Sequence, residues 1–231
     1  MPDIVPKAEL LRSLGRLVRG LSALFWGMPI ALVVCFHTAR ADTFRTLGIS
    51  LGIVPPLATT GLLVYGLWQL GDFQKQERIW RNTLDRARLL SLVNFGLSPF
   101  LYWWNQDPAQ PFFAAMVALL IATALLFLGS LNQVLQRLGA MLPDEALRLE
   151  TRQFTTLNLN LLWVTFVLAA TYLGLGTASR LPGWLRSLAI ALDRASLWFI
   201  VLLVLLPLAM TMALLWKTKE VILENVFGAE E

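Results

Sequence analysis

The sequence has very few of the residues that build disulfides, metal centres or haem sites. Cys35 is its only cysteine and His37 its only histidine in 231 residues. One thiol cannot form an internal disulfide, and a zinc, haem or iron–sulfur site needs several nitrogen or sulfur ligands. We therefore expect no disulfide, no metal and no cofactor to be held by this chain alone.

Charged residues are scarce as well. They make up 15% of the chain, against about 25% in a typical soluble domain, whereas hydrophobic residues reach 57%. The charges lie between long uncharged runs, and no Asp, Glu, Lys or Arg falls in the middle of a run. The sequence thus lacks the intramembrane ionisable groups that are typical of proton-coupled carriers and voltage sensors.

Enzyme signatures are missing too, since the chain contains no HExxH, no GxSxG and no glycine-rich phosphate loop. Cys35 and His37 are two residues apart and point to different faces of a helix, so they do not form a nucleophile–base pair. The net charge of +4 comes from basic residues that flank apolar runs, without a basic stripe. We expect neither an enzyme nor a nucleic-acid-binding protein.

What the sequence does contain is six long uncharged runs. A helix needs about 20 residues to cross the roughly 30 Å of bilayer hydrocarbon, and each run is about that long. The sequence therefore predicts an all-α polytopic membrane protein that forms one integral membrane domain over residues 1–231. The predicted spans lie approximately at 20–39, 46–71, 89–106, 110–133, 154–176 and 195–216.

The third of these spans is the shortest and contains Pro99. A proline inside a helix removes one backbone hydrogen bond and favours a kink or a break. Three interpretations stay open for this span: a kinked crossing, a crossing that starts inside the preceding amphipathic helix, or a re-entrant segment.

The basic residues predict the orientation of the spans. Fourteen of the 19 Lys and Arg residues fall on the side that holds both termini, and five fall on the opposite side. Because basic residues near span ends stay in the cytoplasm, we expect both termini to be cytoplasmic. The leucine- and arginine-rich composition favours a bacterial inner membrane, with a eukaryotic organelle membrane as the alternative.

The six spans also show weak internal similarity when they are grouped into three hairpins. The segments RLLSLVN and RQFTTLN align Asn94 with Asn158, and similar segments of the even spans align Thr60, Thr123 and Thr211. Leucine-rich helices also align by chance. A threefold hairpin repeat and a chance match therefore both stay open.

Uncharged polar residues inside the spans form the candidate site. An amide that hydrocarbon surrounds must find a partner, so these side chains face either a neighbouring helix or a wet cavity. They serve either as helix contacts or as the lining of a channel or transporter for a small solute or ion. The candidates are Asn94, Asn158, Asn160, Thr60, Thr123 and Thr211.

A second candidate surface lies in the cytoplasmic segment 72–88. Phe73, Trp80 and Leu84 recur there at helical spacing, with basic residues mainly on other faces, as in an interfacial amphipathic helix. This pattern predicts a docking helix. Our leading hypothesis is a non-catalytic scaffold or regulatory subunit that contacts membrane lipids and binds a partner subunit or a second copy, and the channel or transporter is the alternative.

Overall fold

The computed structural model describes residues 4–40, 52–71, 73, 77–141, 145–177 and 204–224. Within these residues every regular element is a helix and none is a strand, which confirms the all-α prediction. Parts of two predicted spans, residues 46–51 and 195–203, lie outside the described residues. The helices are α1 (Ile4–Arg40), α2 (Val54–Leu70), α3 (Arg78–Leu97), α4 (Phe100–Gln106), α5 (Pro111–Met141), α6 (Glu145–Thr177) and α7 (204–224).

Two helical segments of the described chain are long and apolar enough to cross a membrane. They are Arg12–Arg40, with 29 residues, and Pro111–Met141, with 31 residues. Only 28% of the most apolar part of the second segment is buried, whereas the core helix of a soluble protein is mostly buried. Both segments are therefore compatible with insertion into a membrane.

Helix α2 begins later than the sequence predicts. Gly52 and Ile53 form a turn, with Gly52 at a φ of 53°, and the helix starts at Val54 with Pro55 and Pro56 at its first positions. Proline fits the first turn of a helix because its missing N–H has no acceptor there. The prolines therefore start this helix, and the 17 remaining residues extend over about 26 Å.

The third predicted span is divided between α3 and α4. Helix α3 begins at Arg78, so the amphipathic segment and the start of this span form one continuous helix. The helix stops before Ser98 and Pro99 because Pro99 has no N–H to donate to the Phe95 carbonyl. The Ser98 hydroxyl donates to that carbonyl instead, at 2.9 Å.

Consecutive long helices pack against one another along the chain. Helix α1 contacts α2, α2 contacts α3, α3 contacts α5, and α5 contacts α6. Helix α7 contacts α1, where the rings of Phe25 and Trp216 lie 5.6 Å apart. One apolar core joins α1, α2, α3, α5 and α7, and its fully buried members include Leu21, Leu67, Leu84, Leu135 and Leu215.

The C-terminal end of α2 is closed by a side chain of α3. The last carbonyl groups of a helix have no partner inside that helix and carry partial negative charge. The Arg88 guanidinium donates to the carbonyl oxygens of Leu67 at 3.3 Å and Trp68 at 3.2 Å, and it also stacks on the Trp68 ring. Gly71 leaves the space for this guanidinium, because a Cβ at that position would overlap it.

We expect Arg88→Gln to lower the free energy of unfolding by about 1–2 kcal/mol, since two charge-assisted hydrogen bonds and a ring contact are lost. Arg86→Gln is the matched control, because Arg86 lies on the exposed side of the same helix and a surface change costs less than about 0.5 kcal/mol. Thermal unfolding of the detergent-solubilised variants measures both. Equal losses in the two variants would contradict the capping role.

Candidate functional site

Two of the candidate polar residues, Asn158 and Thr211, meet Asn132 at the junction of α5, α6 and α7. The Thr211 hydroxyl of α7 accepts a hydrogen bond from the Asn132 amide of α5 at 2.9 Å and one from the Asn158 amide of α6 at 3.0 Å. It donates to the Pro207 carbonyl one turn back, at 2.7 Å. All three polar side chains belong to residues with 0% exposure. One hydroxyl therefore joins three helices.

Both amide nitrogens at this junction use both of their hydrogens. Asn132 Nδ2 donates to Thr211 and to the Leu128 carbonyl, at 2.8 Å for the second bond. Asn158 Nδ2 donates to Thr211 and to the Pro207 carbonyl, at 3.2 Å for the second bond. A Thr hydroxyl can accept twice and donate once, so the Thr211 oxygen is saturated. The two amide oxygens at this junction have no hydrogen-bond partner among the described residues.

Glycines set the register that brings the two asparagines together. Helices α5 and α6 run antiparallel, and a Cβ at Gly139 would lie 3.2 Å from the Thr151 hydroxyl, while one at Gly129 would lie 3.5 Å from Leu159. Asn132 and Asn158 fall between these two contacts on their respective helices. The close approach of the helices thus places one amide opposite the other.

Two further polar contacts join neighbouring helices. The Thr123 hydroxyl of α5 lies 2.6 Å from Oδ1 of Asn94 in α3. The Thr60 hydroxyl of α2 lies 3.3 Å from the Ser98 hydroxyl, at the end of α3. Asn94 and Ser98 are buried. The structure therefore places five of the six predicted polar residues in contacts between helices, rather than around one common centre.

The contacts also bear on the predicted repeat. Each aligned threonine lies close to a carbonyl one turn back: Thr60 to Pro56, Thr123 to Leu119, and Thr211 to Pro207. The α3–α5 and α6–α7 hairpins share an Asn–Thr contact at the aligned positions. The first hairpin differs, because Thr60 contacts Ser98, which directly follows α3. Two of the three hairpins therefore share the Asn–Thr contact at the aligned positions.

Asn160 is the predicted polar residue that does not join the others. It lies two positions after Asn158 on α6, and a shift of two residues turns a helical side chain to a different face. Its side chain is exposed, in a surface that also holds Leu157 at 62% and Trp163 at 64% exposure. Asn160 therefore does not contribute to the junction.

The predicted docking helix is used inside the chain. Trp80 and Leu84 are 1% and 2% exposed and belong to the apolar core, and Phe73 packs against Trp80 with its ring edge-on at 6.2 Å. The helical spacing of these residues reflects burial against α1, α2 and α5, which the sequence does not distinguish from burial against a partner. Packing within the chain therefore explains the pattern, and the docking of these three side chains to a partner stays a prediction.

Sequence reasoning did not single out Asn132, Ser98 and Thr155. Asn132 stands beside Gln133, and both are polar, so only the packing tells which one turns inward. Ser98 directly precedes Pro99, and a hydroxyl at that position can bond to the carbonyl that the proline leaves free. This position is a sequence signal that could have identified Ser98. Thr155 lies three residues before Asn158, and hence on the same face of α6.

A groove of about 250 Å³ lies between α3, α5 and α6. Its apolar lining includes Leu90, Leu162 and Trp163, and its polar side chains are Ser130 and Gln133. In the part of the chain that the structure describes, no group of three or more His, Cys, Asp or Glu side chains is placed to hold a metal ion.

The chain was compared with known proteins at three levels. No family model, no curated protein and no solved structure matches it.

Proposed function

We propose that the chain is a six-span integral membrane protein of the bacterial inner membrane, with both termini in the cytoplasm, that acts as a non-catalytic scaffold or regulatory subunit. The observation that carries the proposal is Asn160, an exposed amide within an apolar face of α6. A single partner helix that offers a hydrogen-bonding group at this level is the occupant that fits the face.

Several features support more than two membrane crossings. Helix α2 contains no charged residue over its 17 residues, and α6 contains none from Phe154 to Thr177. Large apolar side chains are exposed on these two helices as well, including Trp68 of α2 at 60% and Val167 of α6 at 56%. In water such surfaces would be unfavourable, whereas hydrocarbon solvates them.

Asn160 then lies seven residues inside the predicted fifth span. Its side chain makes no hydrogen bond with any described residue. An amide without a partner costs free energy in hydrocarbon, and polar side chains join membrane helices by hydrogen bonds. Leu157 and Val164 flank Asn160 at helical spacing and are 62% and 51% exposed. This stripe has the pattern of a helix-binding surface.

The contacts of the other polar residues favour the subunit over the channel or transporter. Asn94 and Thr123 contact each other, and Asn158 contacts Thr211, at distances of 2.6 and 3.0 Å. Groups that bond to each other across helices are explained by packing alone. The channel is the alternative that a flux measurement must test.

The experiment is gentle detergent extraction of the tagged protein from its native membrane, with size-exclusion mass and identification of co-migrating proteins. We expect a stoichiometric companion, and we expect Asn160→Leu to reduce its recovery by roughly tenfold, which corresponds to one lost interhelical hydrogen bond with its packing. The variant itself should stay folded, because residue 160 is exposed in the isolated chain.

The matched control is Gln110→Leu, which removes an exposed amide just before α5, at the first residue of the predicted fourth span. This variant should retain the companion. Full recovery with Asn160→Leu would contradict the proposal. If the size-exclusion mass corresponds to two copies of the chain, and Asn160→Leu reduces it to one copy, the face serves self-association instead.

A further inference from the structure

Two buried amide oxygens remain without a hydrogen-bond partner at the α5–α6–α7 junction. They are Oδ1 of Asn132 and Oδ1 of Asn158, both in fully buried residues. Their amide nitrogens bind the same Thr211 oxygen, so the two nitrogens lie within about 6 Å of each other. Rotating either amide by half a turn would only exchange an unpaired oxygen for an unpaired nitrogen.

A third unpaired group lies one turn away. The Thr155 hydroxyl, in a residue only 1% exposed, also has no partner among the described residues. Residues three apart on a helix are neighbours on one face, so this hydroxyl lies on the same side of α6 as the Asn158 amide. The junction thus combines two acceptors with one hydroxyl that can either donate or accept.

This combination matches the requirements of one small polar guest. A buried water typically makes about three hydrogen bonds, and two acceptors together with one hydroxyl donor are the set of partners that it needs. The same three oxygens are also hard ligands of the kind that alkali cations take. The buried polar residues of the described chain are all uncharged, which favours a monovalent over a divalent ion.

We propose that the junction binds one small polar guest, a water molecule or a monovalent cation, through the amide oxygens of Asn132 and Asn158 and the hydroxyl of Thr155. The guest satisfies the three groups that are left unpaired at this junction. It also adds a second link between α5 and α6 beside the one through Thr211. The inference does not depend on the partner proposed above.

Thr155→Val tests the proposal, because it removes only the hydroxyl. If a guest is bound, the variant should raise the ratio of unfolded to folded protein about five- to tenfold, since one hydrogen bond is lost. The measurement is unfolding in detergent in sodium, potassium or choline chloride at equal ionic strength. Thr155→Ser should restore stability, and Thr156→Val, an exposed neighbour, should leave it unchanged.

The salts distinguish the two guests. If Thr155→Val loses the same stability in all three salts, the guest is water. If sodium or potassium specifically stabilises the wild type and Thr155→Val abolishes that stabilisation, the guest is a cation. If Thr155→Val is as stable as the wild type or more stable in every salt, the junction is empty and the proposal is wrong. That result follows because a methyl group in place of an unpaired buried hydroxyl removes a desolvation penalty.

Discussion

Thr211→Val should destabilise the protein by about 1.5–3 kcal/mol. The substitution keeps the shape of the side chain but removes the oxygen that accepts from Asn132 and Asn158, so two buried N–H groups lose their acceptor together. Each such loss costs about 1–3 kcal/mol in a water-soluble protein and about 0.6 kcal/mol on average between membrane helices. Unfolding in detergent, followed by helical circular dichroism, measures the change.

Thr59→Val is the matched control for this prediction. Thr59 also follows a proline in its helix, and its hydroxyl donates to the carbonyls of Pro55 and Pro56, but it bonds to no other helix among the described residues. The control should change stability by less than about 0.5 kcal/mol. If both variants lose the same amount, the back-bond to the helix matters and the contact between helices does not.

Gly66→Leu should cost about 3 kcal/mol or prevent assembly of the bundle. A Cβ at Gly66 would lie 3.1 Å from the Gly20 carbonyl oxygen and 2.9 Å from the Leu24 side chain, and one at Gly20 would lie 2.7 Å from the Gly66 carbonyl oxygen. The backbones of α1 and α2 therefore touch at this point. Overpacking a well-packed interface typically costs about 1–3 kcal/mol, and backbone cannot move aside as a side chain can.

Gly96→Leu provides the control, because a Cβ at Gly96 meets no other atom within 4 Å and the residue is exposed on α3. Both changes raise helix propensity by a similar amount, so their difference reports packing alone. Monodispersity on size exclusion and the midpoint of thermal unfolding are the two measurements. A Gly66→Leu variant as stable as Gly96→Leu would show that α1 and α2 do not pack as described.

The sequence indicates that buried polar residues must pair, but it identifies only some of the residues involved. The physics of amides in hydrocarbon requires partners for Asn94 and Asn158, whereas only the structure shows that Thr123 and Thr211 are those partners. Asn132 could not be separated from Gln133, because two adjacent polar residues give no preferred face without the packing of α5 and α6. Asn160 was grouped with Asn158 by residue type, although its position on the helix already separated them.

The helical class follows from composition, whereas the helix ends depend on single residues. Prolines at Pro55 and Pro56 start α2, and Pro99 ends α3, so the same residue type has opposite effects according to its position in the chain. The burial of Trp80 was not predictable, because an apolar stripe looks the same whether its partner is the chain itself or another protein. Only tertiary packing decides between the two.

The most direct test of the central claim, that the buried amides join helices and do not line a path, is solute flux in liposomes that contain the purified wild-type protein. Potassium and glycerol, a cation and a small neutral solute, are the probes. We expect permeation equal to that of protein-free liposomes. The opposite result is permeation above that level which the double variant Asn94→Leu and Asn158→Leu abolishes while it still elutes as a folded protein. That result would contradict the claim.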